Sequence, residues 1–319
     1  MLLDGRCATT LGQAKISDAL IAASSPRKTR SRVVPNTPYN DAMAKKLIPK
    51  DKGSKLPNAP LVEVVFEMRW QLLGDDTAGP FRPDPGYYGC VAALLERAKS
   101  IGFRQHKTIG GESFVPGYSV GYRFYRSPDE SFPLIQLGPG IFAVNESTHY
   151  TWPSFREQCL QALELLMSCY PKMAAFPFVP TQLELRYIDA FKANAPAGDL
   201  VRFLNTSTHL GLQLPEFLTS DQFGPIEDTV INLSLPVKAL KDTRFAIALT
   251  KGKVSDVDSF VMNSTVISKA PAGLLGRDGT FAKTVVRKWL DGMHDVSSPF
   301  FKSLIKDSLM TQFGEQILA

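Results

Sequence analysis

Cysteine is scarce in this sequence. Its four copies, at positions 7, 90, 159 and 169, form no Cys-x-x-Cys pair and show no Cys/His spacing suited to zinc. Cys90, Cys159 and Cys169 fall on the apolar stripes of expected helices, which reads as buried free thiols and points to a reducing cytoplasm. Histidine is as rare: His106, His149, His209 and His294 stand apart, without an HExxH pattern. No run of about 18 apolar residues occurs, so no transmembrane helix is expected, and the N-terminus lacks the graded pattern of a secretory signal. The stretch from Gly273 to Gly279 holds three glycines, but without the Lys-Ser/Thr of a phosphate loop. Neither metal nor cofactor is expected.

Net charge is modest, and its placement matters more than its size. Of 36 basic and 31 acidic residues among 319, 11 and 4 lie in the first 56, which leaves 25 and 27 beyond. The formal +5 is therefore a property of a basic tail attached to a nearly neutral body. The tail, 1–56, has scattered Ser, Pro, Lys and Arg and no sustained apolar period; it reads as a flexible extension with a weak helix over Leu11–Ala22.

From Leu61 to Leu72 the pattern becomes regular. Val62, Val64, Phe66, Met68, Trp70 and Leu72 alternate with Glu63, Glu67, Arg69 and Gln71, the signature of a strand with one buried and one polar face. A helix follows, with Asp84 as N-cap, Pro85 at its first position and Gly102 as its stop. Strands are expected near Phe114–Tyr125, Phe132–Leu137 and Ile141–Asn145, then a helix from Pro153 to Tyr170. The order then repeats: a strand over Gln182–Phe191, a helix over Asp199–Leu210, strands near Thr229–Leu235, Arg244–Lys251 and Asp258–Ser268, and a helix over Gly279–Met293. A last helix is expected to open at Ser298-Pro299.

Two tandem β-α-β-β-β-α halves, 57–175 and 176–319, imply a single α+β body in which an antiparallel curved sheet carries its helices on one face. Glu67-Met68-Arg69-Trp70 in the first half echoes Glu184-Leu185-Arg186-Tyr187 in the second. Side chains two apart on a strand share a face, so Glu67 with Arg69 and Glu184 with Arg186 belong to the more polar side of the sheet. Cross-strand charge pairing and a ligand-facing role both fit that placement.

Pro57-Asn58-Ala59-Pro60-Leu61-Val62-Glu63-Val64-Val65-Phe66-Glu67-Met68-Arg69-Trp70 resembles the opening motif of a sporadically distributed family of uncharacterised bacterial proteins. Further marks of the resemblance are Leu134-Ile135-Gln136-Leu137-Gly138-Pro139-Gly140, then Asn145 with Tyr150 and Trp152, Leu185-Arg186-Tyr187-Ile188-Asp189, and His294 ahead of Phe300. The resemblance spans nearly all of 57–315. It implies mobile or defence-associated genes and so an anti-phage role. Similar proteins begin shortly before the Asn-Ala-Pro motif, which makes either Met1 or Met43 a plausible start.

Catalytic signatures are weak. Gly117-Tyr118-Ser119-Val120-Gly121 matches GxSxG, but the strand-like alternation of Tyr122, Arg123, Phe124 and Arg126 follows it where a helix is required. We therefore expect a non-enzymatic binding or sensor protein, partnered by a host-defence or phage protein. A nucleic-acid-binding component using the tail and Tyr122, Arg123 and Tyr125 is the alternative. A second alternative is an enzyme with a groove site built from Glu67, Arg69, Glu184 and Arg186. His149 and Trp152, near a strand-to-helix junction, complete the candidate binding residues. The sequence leaves the oligomeric state open.

Overall fold

The structure is a computed structural model that describes residues 56, 58–74, 82–109, 115–147, 150–192, 199–216, 229–276 and 279–314. The expected helix over 11–22, the basic run of the tail, Cys7 and His149 lie outside these residues.

The first half comprises β1 (Leu61–Trp70), α1 (Tyr87–Arg97, continued by a 3-10 turn over Ala98–Ile101), β2 (Gln105–Thr108), β3 (Tyr122–Tyr125), β4 (Leu134–Gly138), β5 (Ile141–Glu146) and α2 (Trp152–Cys169). The second comprises β6 (Pro180–Lys192), α3 (Leu200–Ser207), β7 (Val230–Pro236), β8 (Thr243–Val254), β9 (Val257–Lys269), α4 (Lys283–Leu304) and α5 (Asp307–Gln312). Among the described residues nine strands join one open antiparallel sheet in the order β2-β3-β4-β5-β1-β6-β9-β8-β7. The fold is α+β. From the central pair the strands run outward as β1, β5, β4, β3 on one side and β6, β9, β8, β7 on the other, so corresponding strands of the two halves take corresponding places.

Strand alternation decides which face is covered. Val64, Phe66, Met68 and Trp70 of β1 are fully buried, as are Leu183 and Leu185 of β6, and all point toward the helical layer. α2 answers with Phe155, Cys159, Leu160, Leu163 and Leu166 at helical spacing. It packs against α1, α4 and β5, while α4 rests on β6 and β9. Truncating a fully buried leucine such as Leu163 to alanine removes about 2–5 kcal/mol. Cys90, Cys159 and Cys169 are free and buried in this layer, and burial pushes the Cys90 and Cys159 thiols up, away from their reactive range.

Three local expectations are corrected, and one strand falls where none was expected. The strand expected across Phe114–Tyr125 is confined among the described residues to Tyr122–Tyr125; before it the chain turns, with Tyr118 at φ 61°. That turn removes the GxSxG serine from any strand. Asp84 does not cap α1, whose N-cap is Gly86; its carboxylate serves a wider set of donors described below. Helix α4 passes through Ser298-Pro299 without a break. Proline 299 forfeits one bond to the preceding turn, and the helix survives because the stripe Val286, Leu290, Met293, Ser297 and Leu304 stays buried on the sheet. β2, four residues of Gln-His-Lys-Thr with no apolar pattern, carries no alternation from which a strand could be read.

Candidate functional site on the open sheet face

The second face of the sheet carries a compact charged cluster. Register places Glu67 directly opposite Glu184 on the neighbouring strand, with Val65 opposite Arg186 and Arg69 opposite Gln182. Arg69 Nε donates to Glu67 Oε1 at 2.6 Å, and Arg186 Nε donates to Glu184 Oε1 at 2.8 Å, its terminal nitrogen closing on the same oxygen. The Glu184 side chain is 6% exposed and that of Glu67 10%. Two carboxylates thus stand side by side, each held by the arginine two residues along its own strand. The sequence brought these four residues to one face; the pairing of β1 with β6 brings them together.

Glu63 extends the cluster. It accepts from Asn145 Nδ2 at 2.5 Å, and Asn145 Oδ1 accepts from Gln136 Nε2 at 2.9 Å. The chain of bonds crosses β1, β5 and β4. On β3, Arg123 lies opposite Gln136, and its buried Nε makes no hydrogen bond. Lys107 of β2 is opposite Arg123, and Tyr125 projects to this same face. Glu63 was legible as a polar-face residue from its period-two spacing to Glu67, whereas Gln136 and Lys107 carry no such signal because they sit on short strands.

Burial sets the electrostatics. It pushes the Glu184 carboxyl above the usual range, with Arg186 drawing it back and Glu67 opposing. Burial likewise raises Glu63, against the Asn145 hydrogen bond and the charges of Arg186 and Arg123. For Arg186, burial acts to lower the pKa, and the carboxylates of Glu184, Glu67 and Glu63 outweigh it, so the guanidinium stays charged.

One corner of this face is bounded by the loop 115–121. Tyr118 donates its backbone N–H to Pro139 O at 2.7 Å, and its ring lies 5.5 Å from the Arg69 guanidinium carbon. A Cβ at residue 138 would meet Ser119 O at 1.8 Å, so only Gly138 allows the loop to lie here. Beneath it, buried Asp84 gathers four donors. Oδ2 accepts from Trp70 Nε1 at 2.8 Å and Gly140 N at 3.1 Å; Oδ1 accepts from Tyr170 Oη at 2.5 Å and Gly86 N at 3.0 Å.

The remaining expected residues lie elsewhere. Tyr122 faces the helical layer and stacks on buried Phe124, and Arg126 leans over the Phe103 ring, so the aromatic and basic series of β3 presents only Arg123 and Tyr125 to the open face. Trp152 stacks on His294 with centroids 4.1 Å apart and planes 6° from parallel, and its indole N–H donates to Asp291. His294 Nδ1 meets Tyr187 Oη at 2.9 Å, which meets Tyr150 Oη at 3.1 Å. This polar chain ties α2 to α4 across β6 within the helical layer. His294 thereby joins two elements of the helical layer.

Among the described residues no group of three or more His, Cys, Asp or Glu is disposed to hold a metal ion. An apolar gap between α3 and the sheet, lined by Phe191, Phe203 and Met262, has room for about 10 Å³, the space of one water. Among the described residues no helix is long and apolar enough to cross a membrane. No family model, no curated protein and no solved structure matches the chain.

Proposed function

We propose that the protein is a non-enzymatic binding protein that engages another protein through the open face of its sheet, in the bacterial defence against phage that the family resemblance implies. The charge balance of the central cluster carries this reading: Glu63, Glu67 and Glu184 are interleaved with Arg69, Arg123 and Arg186 on the face opposite the packed helices. A phosphate backbone is held by charge of one sign. Acid–base chemistry needs a carboxylate within reach of a substrate proton, whereas Glu67 and Glu184 are occupied by their own arginines. A mixed, geometrically fixed pattern suits a complementary protein surface, where it sets register and excludes wrong partners. The buried free thiols support a reducing compartment, and we place the protein in the cytoplasm.

The test is co-purification from the native host, before and during phage infection, with the wild-type chain beside Arg123→Glu. A partner retained by the wild type and lost by the variant supports the reading. Recovery of the same proteins by both refutes it. The nucleic-acid alternative draws on Lys107 standing opposite Arg123 beside Tyr125. It requires salt-dependent binding to DNA or RNA that falls when residues 1–56 are removed.

A further inference from the structure

The two edges of the sheet differ in kind. β2 ends one side with four exposed residues, Gln105–Thr108, including His106 and Lys107. Such short, charged edges resist pairing with another chain. β7 ends the other side with seven residues, Val230–Pro236, none charged, and among the described residues it is hydrogen-bonded to β8 alone. Val230 is 58% exposed, Leu233 38% and Leu235 55%. Leu233 and Leu235 sit opposite the buried Ile247 and Phe245, so they point to the helical side, yet the helices leave them uncovered. Its one proline, Pro236, is the last residue of the strand and withholds a single N–H there, so the apolar edge before it remains a template for strand addition.

We propose that β7 pairs antiparallel with β7 of a second copy of this chain, about a two-fold axis at Leu233, joining two nine-stranded sheets into one. The strand's own sequence selects the occupant. About that axis Leu233 meets Leu233 of the second copy and Ile231 meets Leu235, all on the helical side. Asn232 meets Ser234 on the open side. Apolar residues meet apolar ones, polar meet polar, and no like charges face each other. Pairing β7 with β2 of another copy would match seven residues with four and would propagate without closing, whereas β7 with β7 closes after two. The joined dimer also sets two open-face clusters on one continuous surface.

Sedimentation of the full chain at tens of micromolar is expected to give twice the 35.1 kDa chain mass; a single 35.1 kDa species overturns the proposal. Leu233→Lys is expected to return the mass to one chain, while Lys107→Glu on the opposite edge leaves the dimer in place. Loss of the dimer in Lys107→Glu overturns the edge assignment, as does a dimer that persists in a folded Leu233→Lys. Hydrogen exchange on the wild type needs no variant: amides of 230–235 are expected to exchange faster on dilution, and concentration-independent exchange there overturns the proposal.

Discussion

Replacing Arg186 with alanine leaves the Glu184 carboxylate, 6% exposed, without its guanidinium and directly opposite Glu67. A buried charge stripped of its partner costs about 3–5 kcal/mol, a large part of the 5–15 kcal/mol that holds an ordinary domain together. Burial already raises the pKa of Glu184, so its folded value lies above its unfolded one. Ionisation therefore works against folding; the penalty is absent below the unfolded pKa and grows as pH rises through the folded one. Urea unfolding of Arg186→Ala, followed by tryptophan fluorescence, is expected to show this loss near neutral pH and to recover part of it near pH 4. Changing both members, Glu184→Met with Arg186→Met, removes the charges together and is expected to match or exceed the wild type. A loss below about 1 kcal/mol for Arg186→Ala near neutral pH, or one that does not shrink on acidification, refutes the reasoning.

Asp84→Ala orphans four buried donors and is expected to lower unfolding free energy by at least about 3 kcal/mol in the same assay. Asp84→Asn costs less, because the Tyr170 hydroxyl can turn to accept from the amide and only the Gly86 N–H is left facing it. Burial lifts the Asp189 carboxyl from the usual range to about 7, so its ionisation opposes folding as pH rises from about 4 toward 7. Asp189→Asn is thus expected to raise stability above neutral pH by at most about 4 kcal/mol, seen as a higher melting temperature, and to change it little near pH 4, as calorimetry at the two pH values would show. His294→Ala removes the Trp152 stack and the Tyr187 partner, and is expected to cost about 2 kcal/mol in thermal melts.

Where two faces differ in polarity, the sequence was informative. The alternation in β1 announced both the buried row from Val64 to Trp70 and the polar row of Glu63, Glu67 and Arg69. What it could not announce was distance. Glu67 meets Glu184 because β1 and β6 pair across 116 intervening positions, and no local pattern sets that register. Asp84 looked like a helix cap because Asp-Pro before an apolar run usually is one; tertiary donors from Trp70, Gly140 and Tyr170 claimed it instead. Pro299 looked like a helix start for the same local reason, and burial of the α4 stripe overrode it. The edge character of β7 was equally hidden, since an apolar strand reads alike whether one neighbour or two will flank it.

The central claim is that the open-face cluster binds a protein partner. Arg123 tests it most directly, because its buried Nε lacks a hydrogen bond and its replacement breaks neither carboxylate–arginine pair. Titration calorimetry of the recovered partner against the wild type and Arg123→Glu is predicted to show at least a tenfold weaker Kd for the variant, about 1.4 kcal/mol, with a cooperative melting curve showing that the variant is folded. Equal affinities for the two proteins would contradict the account.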